Sequence, residues 1–177
     1  MMHTALILAL MASAATAQEP PRVNRAALAG VERAMNMRWE RLIPDNPYGL
    51  LGMTRGVYLD SFGAVFSAEV NLVIAPGPSP FRSKITEQEL AEIKRKKTER
   101  LPILRANMKQ ALLGAAMSVD TVPLEEQIVV AVSLFHHSWE DSKGLPQQIV
   151  MRGQRKQLVQ AAATQSVPDN IIQVKEY

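Results

Sequence analysis

The 177-residue chain contains no cysteine, and this absence excludes several kinds of protein. Without thiols there can be no disulfide scaffold, no thiol nucleophile, no iron–sulfur cluster and no zinc site built on thiolates. A lipoprotein anchor is excluded as well, because it requires a cysteine at the cleavage point. Aromatic residues are also scarce, at 5% of the chain, which argues against a sugar-binding platform of stacked rings.

The chain also lacks a strong excess of charge. Lys and Arg number 20 and Asp and Glu number 17, for a formal net charge of +3. Apolar residues make up 47% of the chain, which is ordinary globular composition and sufficient for one domain with a hydrophobic core. After residue 17 no run of 18 apolar residues occurs, so the sequence predicts no membrane-spanning helix in the mature chain.

The N-terminus is typical of a secretory signal peptide. A short apolar run at residues 5–11 is followed by small residues and an A-x-A sequence at 15–17. We therefore expect residues 1–17 to be removed before Gln18 and the mature protein to be periplasmic or secreted. The segment departs from the usual pattern because no Lys or Arg precedes the apolar run, and the alternative is an apolar N-terminal helix of the fold.

The first half of the mature chain predicts a helix followed by a hairpin. We interpret residues 18–23 as a flexible leader and residues 24–177 as a single α+β domain. Helical spacing of apolar residues extends from an N-cap at Asn24 to about residue 43. Alternation of apolar and polar residues over 64–74 predicts a long strand, and together with residues 57–59 it forms a hairpin over 56–74.

The second half repeats this order. Thr86-Glu87-Gln88-Glu89 is a capping box, and it starts a helix to about residue 117 that Pro102 should kink or break. The remaining elements, in chain order, are a doubly buried central strand at 128–135, a strand at 148–151, a helix at 154–164 and a short strand at 171–175.

The predicted element order is α-ββ-α-ββ-α-β. Alternating hairpins and helices indicate an α+β fold, with a largely antiparallel five-stranded sheet and the helices packed on one face. The strand order does not follow from the sequence. The last strand is a candidate edge strand, and edges invite pairing with another chain.

The densest cluster of polar residues lies at 136–141. His136, His137, Glu140 and Asp141 surround Trp139 there, and these side chains are the weak catalytic candidates of a small hydrolase. Adjacent histidines on a strand point to opposite faces, so we expect no metal site and no cofactor. The alternative interpretation is a solvated hairpin loop with one histidine packed on Trp139.

Two basic regions are candidates for binding anions. Arg152, Gly153, Arg155 and Lys156 join a strand to a helix, where amides and cations favour a bound anion. Residues 82–109 hold nine Lys and Arg against four Glu, which suggests an adaptor for anionic surfaces. The alternative is a solvated helix face, since consecutive cations spread around a helix.

No assembled catalytic motif occurs in the sequence. The leading hypothesis is therefore an exported, non-catalytic domain that acts by binding, with a protein or an anionic envelope component as its partner. The alternatives are the hydrolase at 136–141 and the adaptor built on the basic helix. The low net charge and the lack of interleaved aromatic residues disfavour nucleic acid as a partner.

Overall fold

The computed structural model describes residues 23–41, 49–80, 84–164, 168 and 170–177. The predicted signal peptide and all of the predicted leader except Val23 lie outside these residues. The described helices are α1 (Arg25–Arg41), α2 (Glu87–Ser118) and α3 (Arg155–Thr164). The described strands are β1 (Gly49–Leu50), β2 (Arg55–Leu59), β3 (Gly63–Asn71), β4 (Gln127–Leu134), β5 (Gln148–Gln154) and β6 (Gln173–Glu176).

The α+β class is confirmed, but the described sheet is mixed and has six strands rather than five. Its order is β1-β3-β4-β5-β6, with β2 also paired to β3. Both β1 and β2 pair antiparallel with β3, along the edge that β4 leaves open. The sheet is therefore five strands wide, and its first column is divided between β1 and β2.

The prediction of a largely antiparallel sheet fails at the centre. β3 and β4 are parallel, with Phe66 opposite Val130, whereas the pairs β2–β3 and β4–β5 are antiparallel hairpins as expected. The physical reason is the crossover through α2. This long helix returns the chain across the sheet, so β4 starts at the same end as β3 and runs in the same direction.

The core lies on one side of this sheet. Phe66, Val130 and Met151 share a row of the sheet and are buried with α1, α2 and α3 in one cluster, to which Leu28, Leu112 and Leu158 contribute. On the opposite side of β4, Val129 is buried but Ala131 and Ser133 are half-buried. The strand predicted to be buried on both faces is thus fully covered on one face only.

Helix α2 begins at the predicted capping box. The Thr86 hydroxyl accepts from the Glu89 amide and the Glu89 carboxylate accepts from the Thr86 amide. Pro102 does not end the helix, which continues to Ser118. The proline side chain is exposed, so water can hydrogen-bond the carbonyl that its missing N–H leaves without a partner. Among the described residues no helix is long and apolar enough to cross a membrane.

Gly63 is required where β3 begins. Its φ is +131°, and a Cβ added there would lie 1.9 Å from the carbonyl oxygen of Gln127 in the parallel neighbour β4. A side chain at this position is therefore excluded by contact with backbone, and not only by the positive φ. The turn also holds Ser61 at a φ of 60°, a left-handed conformation that is uncommon outside glycine.

Helix α1 closes the outer edge of β2. The Gly56 amide donates to Glu32 over 2.6 Å, and the Thr54 amide donates to Asn36 over 2.8 Å. Trp39 adds a hydrogen bond from its indole nitrogen to the Thr54 hydroxyl. These contacts satisfy amides that face away from β3, so this edge offers little to an incoming strand.

Candidate functional site

The 136–141 cluster surrounds Lys97, a buried lysine of α2. The sequence did not predict this contact. The side chains of Lys97 and Glu140 are 1% and 3% exposed and form an ion pair. The Lys97 ammonium also donates to the Phe135 carbonyl over 3.1 Å and to Nδ1 of His136 over 3.3 Å. Three acceptors match the three N–H groups of an ammonium, so Lys97 has no donor left for a ligand.

Both ring nitrogens of His136 are engaged by the protein. Since an ammonium can only donate, Nδ1 accepts from Lys97 and the ring proton lies on Nε2. Nε2 then donates to the Pro146 carbonyl over 3.2 Å. A general base needs a nitrogen lone pair directed at its substrate, and this arrangement leaves none on His136.

The two carboxylates of the cluster have different surroundings. Asp141 is half exposed and accepts from Lys94 of α2 over 2.6 Å. The hydrogen bond from Lys94, followed by that from the Lys143 amide, lowers the pKa of Asp141 below its usual value. Oxygen Oε1 of Glu140 is buried and has no hydrogen-bond partner within the described part of the chain.

His137 and Trp139 form the outer layer of the loop. Their rings stack at 4.8 Å with an interplanar angle of 12°, and Phe135 meets His137 edge-on at 4.7 Å. The Trp139 ring also lies against Gly77, in the segment that follows β3. The expected packing of a histidine on Trp139 is thus present, through His137.

Taken together, these contacts fasten the loop between β4 and β5 to the N-terminal half of α2. Lys94 and Lys97 bind Asp141 and Glu140 from one helix face, and the Phe135 amide donates to Val70 in β3 over 2.9 Å. These contacts position the loop against α2.

The strand–helix corner at 152–156 uses its donors internally. The amides of Arg155 and Lys156, at the start of α3, donate to the carbonyls of Glu126 and Leu124 over 2.8 and 2.9 Å. The Arg155 guanidinium donates to carbonyls of Ala116 and Val122. Arg155 therefore ties α3 to the end of α2, and the predicted anion site stays a prediction with two of its amides already paired.

The remaining residues of that corner are also in contact with the protein. Arg152 donates to Gln173 over 2.9 Å, and Lys156 lies 3.7 Å from Glu125. Gly153 is needed for packing, because a Cβ there would lie 2.7 Å from the Ile171 carbonyl oxygen. The close approach of the chain after α3 explains this glycine without a ligand.

The basic region on α2 has most of its charge compensated. Arg95 bridges Glu92 and Glu99, both at 2.6 Å, and its hydrogen bond is the main cause that holds the pKa of Glu92 at about 2. Arg105 pairs with Glu176 of β6 at 2.6 Å. Arg82 lies outside the described residues. Within the described part of α2, few cations therefore remain without an internal partner and able to bind an anionic surface.

The sheet face opposite the described helices carries exposed and half-buried side chains. Register places four rows of side chains across it, led by Leu59, Val57, Arg55 and Glu69. These rows contain Leu59, Gln127 and Gln154, then Val57, Val65, Val129, Arg152 and Gln173, then Arg55, Ser67, Ala131, Val150 and Lys175, then Glu69, Ser133 and Gln148. No described helix covers this open sheet face.

Apolar side chains are concentrated at the β2 side of the open sheet face. Leu51, Met53, Val57 and Leu59 are 44%, 60%, 52% and 47% exposed. A groove of about 350 Å³ runs beside them and is lined in part by Met53, Arg55 and Glu69. Exposed apolar side chains grouped in this way make the β2 side of the face a candidate interaction site.

Sequence reasoning missed this face for a specific reason. The apolar residue at every second position from Leu51 to Leu59, apart from Arg55, is a detectable alternation. The glycines at 49, 52 and 56 are, however, typical of a loop over residues 45–56. In the structure β1 and the start of β2 lie within this stretch, so the alternation was not recognised as part of a sheet.

Neither a metal site nor a similar known protein assigns a function to the chain. Within the described ranges no group of three or more His, Asp or Glu residues could hold a metal ion. No protein-family model, curated protein or solved structure matches the chain.

Proposed function

We propose that the protein is an exported, non-catalytic domain that binds a protein partner through the open sheet face. Export rests on the signal-like residues 1–17, and isolation of a natural chain that still begins at Met1 would contradict it. The binding role rests on a single structural observation. All three described helices cover one face of the sheet, and the other face carries a row of exposed apolar side chains.

The size of the face suits a protein. Five strand columns spaced by about 4.8 Å give the width of the face, and about seven residues along a strand at about 3.3 Å each give its length. Both sides are roughly 20–25 Å. The corresponding flat area of about 400–600 Å² approaches the roughly 800 Å² that a standard interface buries on each partner. The exposed apolar side chains lie at the β2 side of the face, and polar side chains such as Gln173 and Lys175 lie at the β6 side, so the face offers both kinds of contact that known interfaces use.

Charge indicates the chemistry of the partner. The open sheet face carries the cations Arg55, Arg152 and Lys175 and the single carboxylate Glu69. Two such faces would place like charges together, whereas an acidic surface that also carries apolar residues is complementary to it. Ser67, Glu69 and Gln148 lie among the apolar residues, which disfavours burial in a lipid bilayer because their polar groups would be desolvated without partners.

Photo-crosslinking in cells of the source organism tests the proposal. A photoreactive residue at Val57 is compared with one at Met37, on the outer side of α1, because these positions are 52% and 51% exposed. We expect an acidic protein to be captured from Val57 and not from Met37. Capture should decrease at high salt and be lost in an Arg55→Glu, Arg152→Glu variant, since the cations of the open sheet face attract the acidic partner.

Three outcomes would overturn the proposal. Equal capture from Met37 would mean that the two faces are equivalent. Crosslinks to lipid or polysaccharide would favour an adaptor for anionic surfaces. Capture that persists after both charge reversals would show that complementarity to an acidic protein has no role.

A further inference from the structure

Strand β6 is the outer strand of the described sheet on the side away from β2. Tyr177 and Gln148 exchange hydrogen bonds of 3.0 and 3.3 Å. Because such pairs alternate in an antiparallel ladder, the backbone groups of Lys175 and Gln173 also face β5. The N–H and C=O groups of Val174 and Glu176 therefore point away from the sheet, where no described strand pairs with them.

The two edges of the described sheet differ in whether their outward backbone groups are already hydrogen-bonded. At β2 the outward amides of Thr54 and Gly56 are already taken by Asn36 and Glu32 of α1. At β6 all four residues are exposed. When β6 of one copy pairs with β6 of a second copy, this edge is used in both, so association through it stops at a dimer instead of growing into a fibre.

We propose that two copies of the chain pair antiparallel through β6, about a two-fold axis at Val174. In this register Val174, which is 48% exposed, lies opposite its own copy, and Lys175 lies opposite Gln173. An axis at Lys175 would place two ammonium groups opposite each other, and an axis at Glu176 would do so with two carboxylates. Like charges in directly opposed positions destabilise a sheet.

This pairing would change the shape of the open sheet face. The two-fold axis of an antiparallel strand pair stands perpendicular to the sheet, so the helices of both copies lie on the same side. The two open faces then join into one surface of double width. Dimerisation through β6 does not rest on the proposed function. A failure to capture a partner from Val57 would leave the open edge at β6 unchanged, and a monomeric chain would leave the open sheet face unchanged.

Sedimentation velocity on the whole chain tests the pairing over roughly a hundredfold range of concentration, since a dimer dissociates on dilution. We expect a monomer–dimer equilibrium for the wild type. Val174→Pro removes an N–H that faces away from β5, and proline is tolerated on such an edge, so this variant should remain monomeric. Val174→Thr keeps the N–H and should dimerise as the wild type does.

The absence of cysteine supplies a second test, because each variant then has a single thiol. Opposed residues of a hydrogen-bonded antiparallel pair have Cα atoms about 5.5 Å apart, within reach of a disulfide. Mild oxidation should convert Val174→Cys to a covalent dimer. Lys175→Cys should stay monomeric under the same conditions, because Lys175 faces Gln173 of the other copy and not its own equivalent.

The two measurements decide the proposal together. A wild type that is monomeric at every concentration overturns it, as does a Val174→Pro variant that dimerises. Crosslinking through Lys175→Cys in place of Val174→Cys overturns the register. Crosslinking through Val174→Cys supports the pairing even if Val174→Pro fails to fold.

Discussion

Lys97 occupies a position on α2 where helical spacing requires an apolar residue. It interrupts the stripe formed by Ile93 and Leu101, yet it is fully buried. Its charge is compensated by Glu140, and its remaining donors reach Phe135 and His136. A buried ion pair of this kind adds little net stability. Removing one partner is costly, however, because the other charge is then buried without compensation.

We therefore expect Lys97→Met to destabilise the protein by about 3–5 kcal/mol, because Glu140 would be buried without a counter-charge. Lys96→Met is the matched control. Lys96 lies one residue away, but its pair with Glu92 at 3.4 Å is exposed, and exposed pairs contribute about 0–1 kcal/mol. Urea unfolding of both variants measures the difference.

Equal losses in the two variants would show that the 136–141 loop is not fastened through this pair. The double variant Lys97→Met, Glu140→Leu separates the two causes of destabilisation. It removes both charges and should recover much of the lost free energy of unfolding, since apolar replacements of buried pairs are often neutral.

At the scale of elements, α1 does more than cover the core. Its Glu32 side chain accepts the outward Gly56 amide and pairs with Arg25 at 2.8 Å. Burial by itself raises the pKa of Glu32, but the hydrogen bonds from Arg25 and Gly56 outweigh it, and the pKa is lowered from 4.5. Helix α1 thus places the Glu32 carboxylate as a charged hydrogen-bond acceptor at the outer edge of β2.

Glu32→Ala should cost about 1–3 kcal/mol at neutral pH, because the buried Gly56 amide loses its acceptor. A carboxyl whose pKa is lower in the folded state contributes stability that is complete above the unfolded value of 4.5 and is lost as pH falls through the folded value. The difference between wild type and variant should therefore shrink on acidification below pH 4.5.

Denaturant unfolding at several pH values measures this dependence. Glu40→Ala is the control, because Glu40 lies on the same helix and is exposed. Its effect should be within about 0.5 kcal/mol. A Glu32→Ala loss that grows on acidification would contradict the assigned role of the carboxylate.

For the whole molecule, the decisive property is that the sheet is one-sided. Ile149 lies in the core beneath the helices and is fully buried, whereas Val57 projects from the open sheet face and is 52% exposed. The two faces of one sheet should therefore respond differently to the same kind of substitution.

Ile149→Ala should cost about 2–5 kcal/mol, because it removes buried methyl groups and leaves a cavity. Val57→Ala should change stability by no more than about 0.5 kcal/mol. Thermal unfolding compares the two variants directly. A loss at Val57 that approaches the loss at Ile149 would mean that the open sheet face is covered in the folded chain.

Much of the fold is local and could be predicted. The capping box at Thr86 acts through contacts three residues apart, and the alternation in β3 follows from its own side chains. The hairpin pairs β2–β3 and β4–β5 follow because sequence neighbours joined by short links pair antiparallel. These features depend on residues that are close in the chain, so the sequence alone predicts them.

The parallel β3–β4 pair, the closed and open edges and the role of Lys97 could not be predicted in the same way. Phe66 meets Val130, Glu32 meets Gly56, and Lys97 meets Glu140 over separations of tens of residues. Such contacts depend on how α1 and α2 cross the sheet, because packing direction brings these groups together and not their spacing in the chain. Residue chemistry therefore defined the elements, and the way α1 and α2 cross the sheet decided which side chains are buried, which edge is closed and which face stays accessible.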